Sequence, residues 1–544
     1  MQCDRWFKNM VFYQVWPRSF KDGNGDGMGD LWGVLEKLDY IQSLGCDGIW
    51  FSPLYPSPGV DCGYDIADYL DIAEEFGGME AFKKVLDGAH ERGMKVIMDL
   101  VINHTSDEHE WFQKSRQRIA PYTDYYIWRP GKGTQLPNNW DSIFEGKAWT
   151  WDEVRQEYYL HLFAVKQPDL NMDNPLVREE VKKILRFWLE LGVDGFREDA
   201  ITFISKAEGL PSEHLAPFHR GLRKYNHGPH IQEYLKEFRE VLDQYDCFTC
   251  GEASHITPKK ALSYIGDDQG LLDAMIQFDT ACADCKFTDY APTAFSALKL
   301  KKAFNRWQKQ LSGNGWNLLY LENHDHPRVV SRYGSTKFWK QSAKMLAACY
   351  LFQQGTPFIY QGQEIGMLNW EPASADMYED VQTRWQYEHT NGSAEKRLKK
   401  MWRCSRDSAR TPMQWDGAKN AGFTEGKPWF YVNPNYSIIN VAQQEKDPDS
   451  ILNFYRKAIA LRQSMSSVRF GDFTAYNGHD DLYMYTRQDS RQRILVVCSF
   501  SSGTLRFKPP KHYHLEDAEL VLQNYPDAEG LTLRPWECRV YLWK

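Results

Sequence analysis

Arg197 and Asp199 stand two residues apart at the end of a short strand-like run, Val193-Asp194-Gly195-Phe196-Arg197-Glu198-Asp199-Ala200. Side chains in a strand alternate faces, so Arg197 and Asp199 share one face and Glu198 takes the other. A cation beside a carboxylate favours the ionised form and lowers its pKa. An Asp held ionised can attack an electrophilic carbon. An ordinary strand-end ion pair would look the same, so this pair needs company. Three other apolar runs end in similar residues: Asp99-Leu100-Val101-Ile102-Asn103-His104, Gly251-Glu252 and Glu322-Asn323-His324-Asp325. Cleavage of a glycosidic bond needs two carboxyl groups, one ionised and one protonated, and hence two different environments. Asp199 has its cation in Arg197. Glu252 has no basic residue immediately beside it, which leaves room for a raised pKa.

These residues need elements to bring them together. Eight strand candidates are Val11 to Trp16, Gly48 to Ser52, Lys95 to Val101, Gly192 to Arg197, Cys247 to Gly251, Met275 to Phe278, Asn317 to Glu322 and Pro357 to Tyr360. Helical runs separate most of them, such as Met79 to Arg92 and Leu176 to Leu191. Alternation of this kind predicts an α/β chain with a parallel sheet, and eight repeats favour a closed (β/α)8 barrel. Functional residues then belong at the C-terminal strand ends. A Trp-, Tyr- and Pro-rich insertion follows the third strand. After Ser467 the pattern becomes that of an antiparallel β-sandwich. The expected division is a barrel over 1–103 and 172–467, an inserted subdomain over 104–171 and a sandwich over 468–544.

Composition narrows the partners. The 544-residue chain carries a net charge of −8, which argues against nucleic acid. No apolar run is long enough to span a bilayer, and Met1 to Trp6 lacks a leader pattern, so a cytoplasmic chain without a membrane partner is expected. The 11 cysteines follow no disulfide framework. Cys247-x-x-Cys250 and Cys282-x-x-Cys285 imitate two halves of a zinc site, but the spacer is long for a ribbon, and strand parity splits Cys247 from Cys250.

Taken in order, these motifs resemble the α-amylase family of glycoside hydrolases (family 13), in its oligo-1,6-glucosidase and α-glucosidase branch. The likeness covers nearly the whole chain. Asp99 to His104, Gly195 to Asp199, Gly251-Glu252 and Asn323 to Asp325 resemble the four conserved regions, and Gln167-Pro168-Asp169-Leu170-Asn171 resembles the branch marker. The resemblance implies Asp199 as nucleophile, Glu252 as general acid/base and Asp325 as the third carboxylate. It implies Arg197 as the residue orienting the nucleophile. His104, His324, Asp61, Tyr64, Phe163 and Arg406 would bind the sugar, with Arg406 chosen over Arg410 as the partner of Asp61. Retention would set the Asp199 and Glu252 carboxyl groups ~5–5.5 Å apart.

Asp22-Gly23-Asn24-Gly25-Asp26-Gly27-Met28-Gly29-Asp30 alternates oxygen donors with glycines, a spacing suited to a hard cation. The resemblance implies a structural Ca2+, with Mg2+ the other candidate, held by Asp22, Asn24, Asp26, the Met28 carbonyl and Asp30. In this branch Val after the nucleophile goes with α-1,6 cleavage, and Ala with α-1,4. The resemblance implies a retaining, exo-acting α-glucosidase, and Ala200 makes maltose-type oligosaccharides the expected substrate. Isomaltose-type cleavage is the alternative, and transglucosylation or sucrose activity a rival using the same residues. A non-catalytic relative fits less well, because the acids are all kept. The expected partner is a small oligosaccharide, and the expected state a monomer or weak homodimer.

Overall fold

The computed structural model describes residues 5–133, 135–216, 219–267, 269–286 and 288–544. Residues 1–4, part of the segment read above for a leader, lie outside that range. Eight parallel strands form the centre: β1 (Phe12–Val15), β2 (Gly48–Phe51), β3 (Lys95–Leu100), β4 (Gly195–Glu198), β5 (Phe248–Ala253), β6 (Ala274–Gln277), β7 (Leu318–Leu319) and β8 (Thr356–Tyr360). They pair in sequence, and β8 returns to β1 with Phe12 opposite Phe358. A parallel bridge from Met275 to Asn317 joins β6 to β7. The expected (β/α)8 barrel is therefore what the chain forms.

Two strands differ from expectation. The segment beginning at Gly192 becomes strand only at Gly195, because Gly192, at φ 110°, ends the preceding helix. That helix, Pro175–Leu191, starts where the Asn174 side chain accepts the Leu176 amide, and it buries the stripe Val177, Val181, Ile184, Leu185 and Trp188. The run from Asn317 to Glu322 pairs only at Leu318–Leu319. Beyond it the chain turns, which frees Asn323 to Asp325 from strand parity.

Parity sorts the rest. Phe12, Trp50, Ile97, Phe248, Cys250, Ala274, Ile276, Leu318 and Phe358 share one buried cluster inside the barrel. Phe12 and Phe358 stack at 5.0 Å. This packed floor closes the N-terminal end, so polar side chains gather at the other end.

The insertion carries a three-stranded antiparallel sheet of Trp128–Arg129, Glu157–Leu160 and Trp149–Asp152. A bridge between His104 and Asp169 brings its two ends together beside the barrel mouth. Toward the C-terminus, a five-stranded antiparallel sheet and a two-stranded ribbon share a core of Met484, Leu495, Val497, Phe507 and Leu533.

Gly195 faces the barrel floor at φ 150°, and a Cβ there would lie 1.9 Å from the Phe248 carbonyl oxygen. Gly195→Ala is expected to cost ~1–3 kcal/mol or more through overpacking, seen as a lower thermal midpoint. An unchanged midpoint would mean that β4 and β5 can part without cost.

Candidate active site

Register sets the centre. Asp99 on β3 lies opposite Arg197 on β4, and Arg197 lies opposite Cys250 on β5. Two residues further along β5, on the same face, is Glu252. Arg197 Nη1 donates to Asp99 Oδ1 at 2.5 Å and to Asp199 Oδ1 at 2.6 Å. Its Nη2 pairs with Glu252 Oε1 at 2.8 Å. Glu252 Oε2 also accepts the Ala200 amide at 3.3 Å. The guanidinium is buried, with Trp50 and Tyr64 rings 5.3 and 5.7 Å from its centre.

Glu252 is raised, as expected, although Arg197 reaches it as well as Asp199. The lowered pKa expected of Asp199 is not found. Burial is the larger effect and, with Asp99 and Asp325 nearby, outweighs Arg197 to push the carboxyl up to about 7. Burial likewise lifts Glu252 to about 7, against Arg197 and with Asp199 and Asp325 adding to the rise. One cation cannot keep three buried carboxyl groups ionised, so Asp199 and Glu252 share protons near neutrality. Glu198 points outward as parity requires, toward Arg239 and Asp273, and burial raises it to about 8.

Asp325 differs. Burial would raise it, but the hydrogen bond from His324 and the charges of Arg406 and Arg410 hold it well below the usual carboxylate range. His324 Nε2 lies 2.9 Å from Asp325 Oδ2 and 2.7 Å from the Tyr64 hydroxyl, and the Gln14 amide reaches its Nδ1 at 2.8 Å. Its ring stacks with those of Trp16 and Tyr64. Burial lowers His324 to about 4 and His104 to about 3. His104 contacts the Gln167 amide at 3.2 Å, and the same amide donates to Asp61 Oδ2 at 3.2 Å. The branch marker at the end of the insertion thus touches both residues.

Arg406 is the second cation. Its Nη2 donates to Asp61 Oδ1 at 3.1 Å and to Asp380 Oδ1 at 2.5 Å, and its Nη1 donates to Asp325 Oδ1 at 3.2 Å. Arg410 donates to Asp325 at 3.4 Å and to the His324 carbonyl at 3.1 Å. Asp380 went unnoticed in the sequence. It lies outside every motif, as the N-cap of helix Val381–His389, and its carboxylate accepts the Thr383 amide. Asp99 was read only as the start of a motif, although strand adjacency would have placed it beside Arg197.

Asp61, Tyr64, His104, Phe163, Asp199, Ala200, Glu252, Asp325 and Arg406 line one cavity of about 420 Å³. Arg197 and His324 are buried against these residues. The cavity volume falls within the range of small-molecule sites.

The Gly-rich loop is a separate region after β1. Asp22 Oδ1 and Asp30 Oδ2 both accept the Asn24 amide, at 3.0 and 3.1 Å. Asp30 also caps helix Leu31–Glu36 through the Gly33 amide. Asp26 Oδ1 accepts the Met28 amide. The Asp22 and Asp30 carboxylates each accept several backbone amides in and next to the loop, and side-chain oxygens of this kind are the ligand type a hard cation takes. The four cysteines do not converge. Cys250 is inside the barrel, Cys247 faces the helix layer, and Cys282 and Cys285 lie in the cavity wall.

A barrel with acids, histidines and two shared arginines at its C-terminal mouth defines a glycoside hydrolase, and this chain belongs to the α-amylase family. The family's catalytic domain matches residues 14–471. The chain is 47% identical to the oligo-1,6-glucosidase of Parageobacillus thermoglucosidasius, covering 98% of each chain. It is 43% identical to an alpha-glucosidase of Pediococcus pentosaceus, covering 99% of each. The crystal structure of Bacillus licheniformis trehalose-6-phosphate hydrolase superposes with a TM-score of 0.95 at 41% identity, over 99% of this chain and 100% of that one.

Proposed function

We propose that this enzyme is a retaining, exo-acting α-glucosidase that removes terminal glucose from short α-1,6-linked oligosaccharides. The observation that carries the reading is the Arg197 guanidinium with Asp199 on one Nη and Glu252 on the other. One guanidinium reaching both carboxyl groups holds them near each other, which supports the close pair of a retaining enzyme. Asp199 attacks the anomeric carbon while Glu252 protonates the leaving oxygen. Water then enters, Glu252 takes its proton, and the glucosyl–Asp199 bond breaks to release α-glucose. Asp325, Asp61 and the neutral imidazoles of His104 and His324 hold the sugar hydroxyls, over Tyr64 and Phe163.

What favours the isomaltose type over the maltose preference expected from Ala200 is that six relatives at 42–47% identity are named oligo-1,6-glucosidase, two of them as probable. Ala200 also has a reason of its own to be small. It adopts φ 42°, ψ 33°, where a β-branched side chain is strained, and it packs in a cluster with Trp140 and Phe203. Its size is therefore a weak reporter of linkage.

Glucose release from isomaltose, maltose, sucrose, trehalose and nigerose tests the linkage. The kcat/KM for isomaltose should exceed that for maltose by ~10-fold or more, the scale one pocket contact provides. A lead for maltose would sink the α-1,6 assignment and leave glucose release standing.

The competent enzyme carries one proton on the Asp199–Glu252 pair. Activity should fall below neutrality as both protonate, and above it as Glu252 loses its proton, giving a bell-shaped kcat/KM profile. Glu252→Gln should lose ~10²–10⁴-fold and abolish the alkaline limb. Persistence of that limb in the variant would remove Glu252 from the acid role.

We also assign Asp22, Asn24, Asp26, the Met28 carbonyl and Asp30 to a structural Ca2+. An ion there would screen the Asp22 and Asp30 carboxylates and leave the reaction to the cavity. Elemental analysis should find one Ca2+ per chain, and its removal should lower the thermal midpoint without changing KM. A midpoint indifferent to Ca2+ would count against the assignment.

A further inference from the structure

Cys282, Cys285 and Asp289 follow β6 and all line the cavity described above. None has a part in the proposed chemistry. Their ligand atoms lie within 4.8 Å of one another, the one such group of His, Cys, Asp and Glu among the described residues. The Cys282 thiol donates to Asp289 Oδ1 at 2.9 Å. The Cys285 amide donates to the Cys282 carbonyl at 2.9 Å, closing a tight turn that carries both thiols. Arg332 Nη2 lies 3.9 Å from Cys285 Sγ, and its charge is met by Asp284 at 2.5 Å.

Two thiols and a carboxylate are three of the four ligands of a tetrahedral soft-metal site, and sites with three protein ligands leave a fourth position open. All three residues line the cavity, so an ion held between them would sit in its wall. We propose that Cys282, Cys285 and Asp289 bind a thiophilic divalent cation, and that the bound ion obstructs sugar entry and makes the enzyme metal-inhibited. Binding exchanges two thiol protons for two metal–sulfur bonds, with both protons released to solvent and no change in oxidation state. The binding half stands on the cysteine geometry alone; the inhibition half rests on the glucosidase reading.

The test uses the full chain, kept reduced with a phosphine, in excess Ca2+. Cd2+ titration should show thiolate-to-metal absorption saturating at one ion per chain. Zn2+ should raise KM with little change in kcat, and a thiophilic chelator should reverse this. Cys282→Ser and Cys285→Ser should each weaken Cd2+ binding and Zn2+ inhibition at least ~10-fold, and Asp289→Asn should weaken both less. Absorption that survives in both Ser variants would overturn the site. A thiol count two short in reduced protein, recovered only on stronger reduction, would also overturn it, in favour of a Cys282–Cys285 disulfide. Cd2+ absorption that behaves as expected while KM ignores Zn2+ would overturn the inhibition. If no glucoside is cleaved at all, the functional reading fails, and the absorption titration still decides the metal site.

Discussion

The active centre depends on one buried guanidinium. Arg197 is flanked by Asp99, Asp199 and Glu252, drawn from three adjacent strands or their ends. Without it, three carboxyl groups would face one another in a pocket with little water, and all would be driven neutral. With it, they approach closely and still divide one positive charge. Asp99 is further satisfied by Trp50 Nε1 and the Tyr64 hydroxyl, each at 3.1 Å. Asp199 and Glu252 are left less completely paired, and burial raises both. Removing one member of so buried a set typically costs ~3–5 kcal/mol, because the remaining charges lose compensation.

Much of this was legible in the chain, because strand parity and barrel topology are simple rules. Period two set Glu198 apart from Arg197 and Asp199, and the strand-by-strand reading brought four separated motifs to one mouth. The errors came where contacts run between strands. Glu252 appeared to lack a cation because its cation is 55 positions earlier and touches it only through the β4–β5 register. Asp380 was invisible for a related reason: a lone acid at a helix N-cap has no signature beyond its cap. The short β7 could not be foreseen either, since the apolar run from Asn317 to Leu321 continues past the last paired residue. That early departure is what lets His324 and Asp325 meet.

Arg406 is to one wall of the cavity what Arg197 is to the other. It gathers Asp61, Asp325 and Asp380. The two arginines leave the acids in different states: Asp325 and Asp380 well below the usual range, Asp199 and Glu252 well above it. Asp61, also on Arg406, is still raised to about 6 by burial, so that arginine lowers two of its three partners. Burial alone would have raised them all.

The pairing of Asp61 with Arg406 spans 345 residues of chain. During synthesis, domains tend to form from the N-terminus onward. Arg197 leaves the ribosome before Glu252, so both partners of that pair are available once β4 and β5 come together. Asp61 must wait until nearly three-quarters of the protein has been translated. The barrel itself cannot close earlier than β8, whose Phe358 seats against Phe12. A nascent chain halted between these points would hold Asp199, Glu252 and Arg197 without the Asp61–Arg406 pair, so one wall of the cavity is completed only by residues translated after the barrel strands.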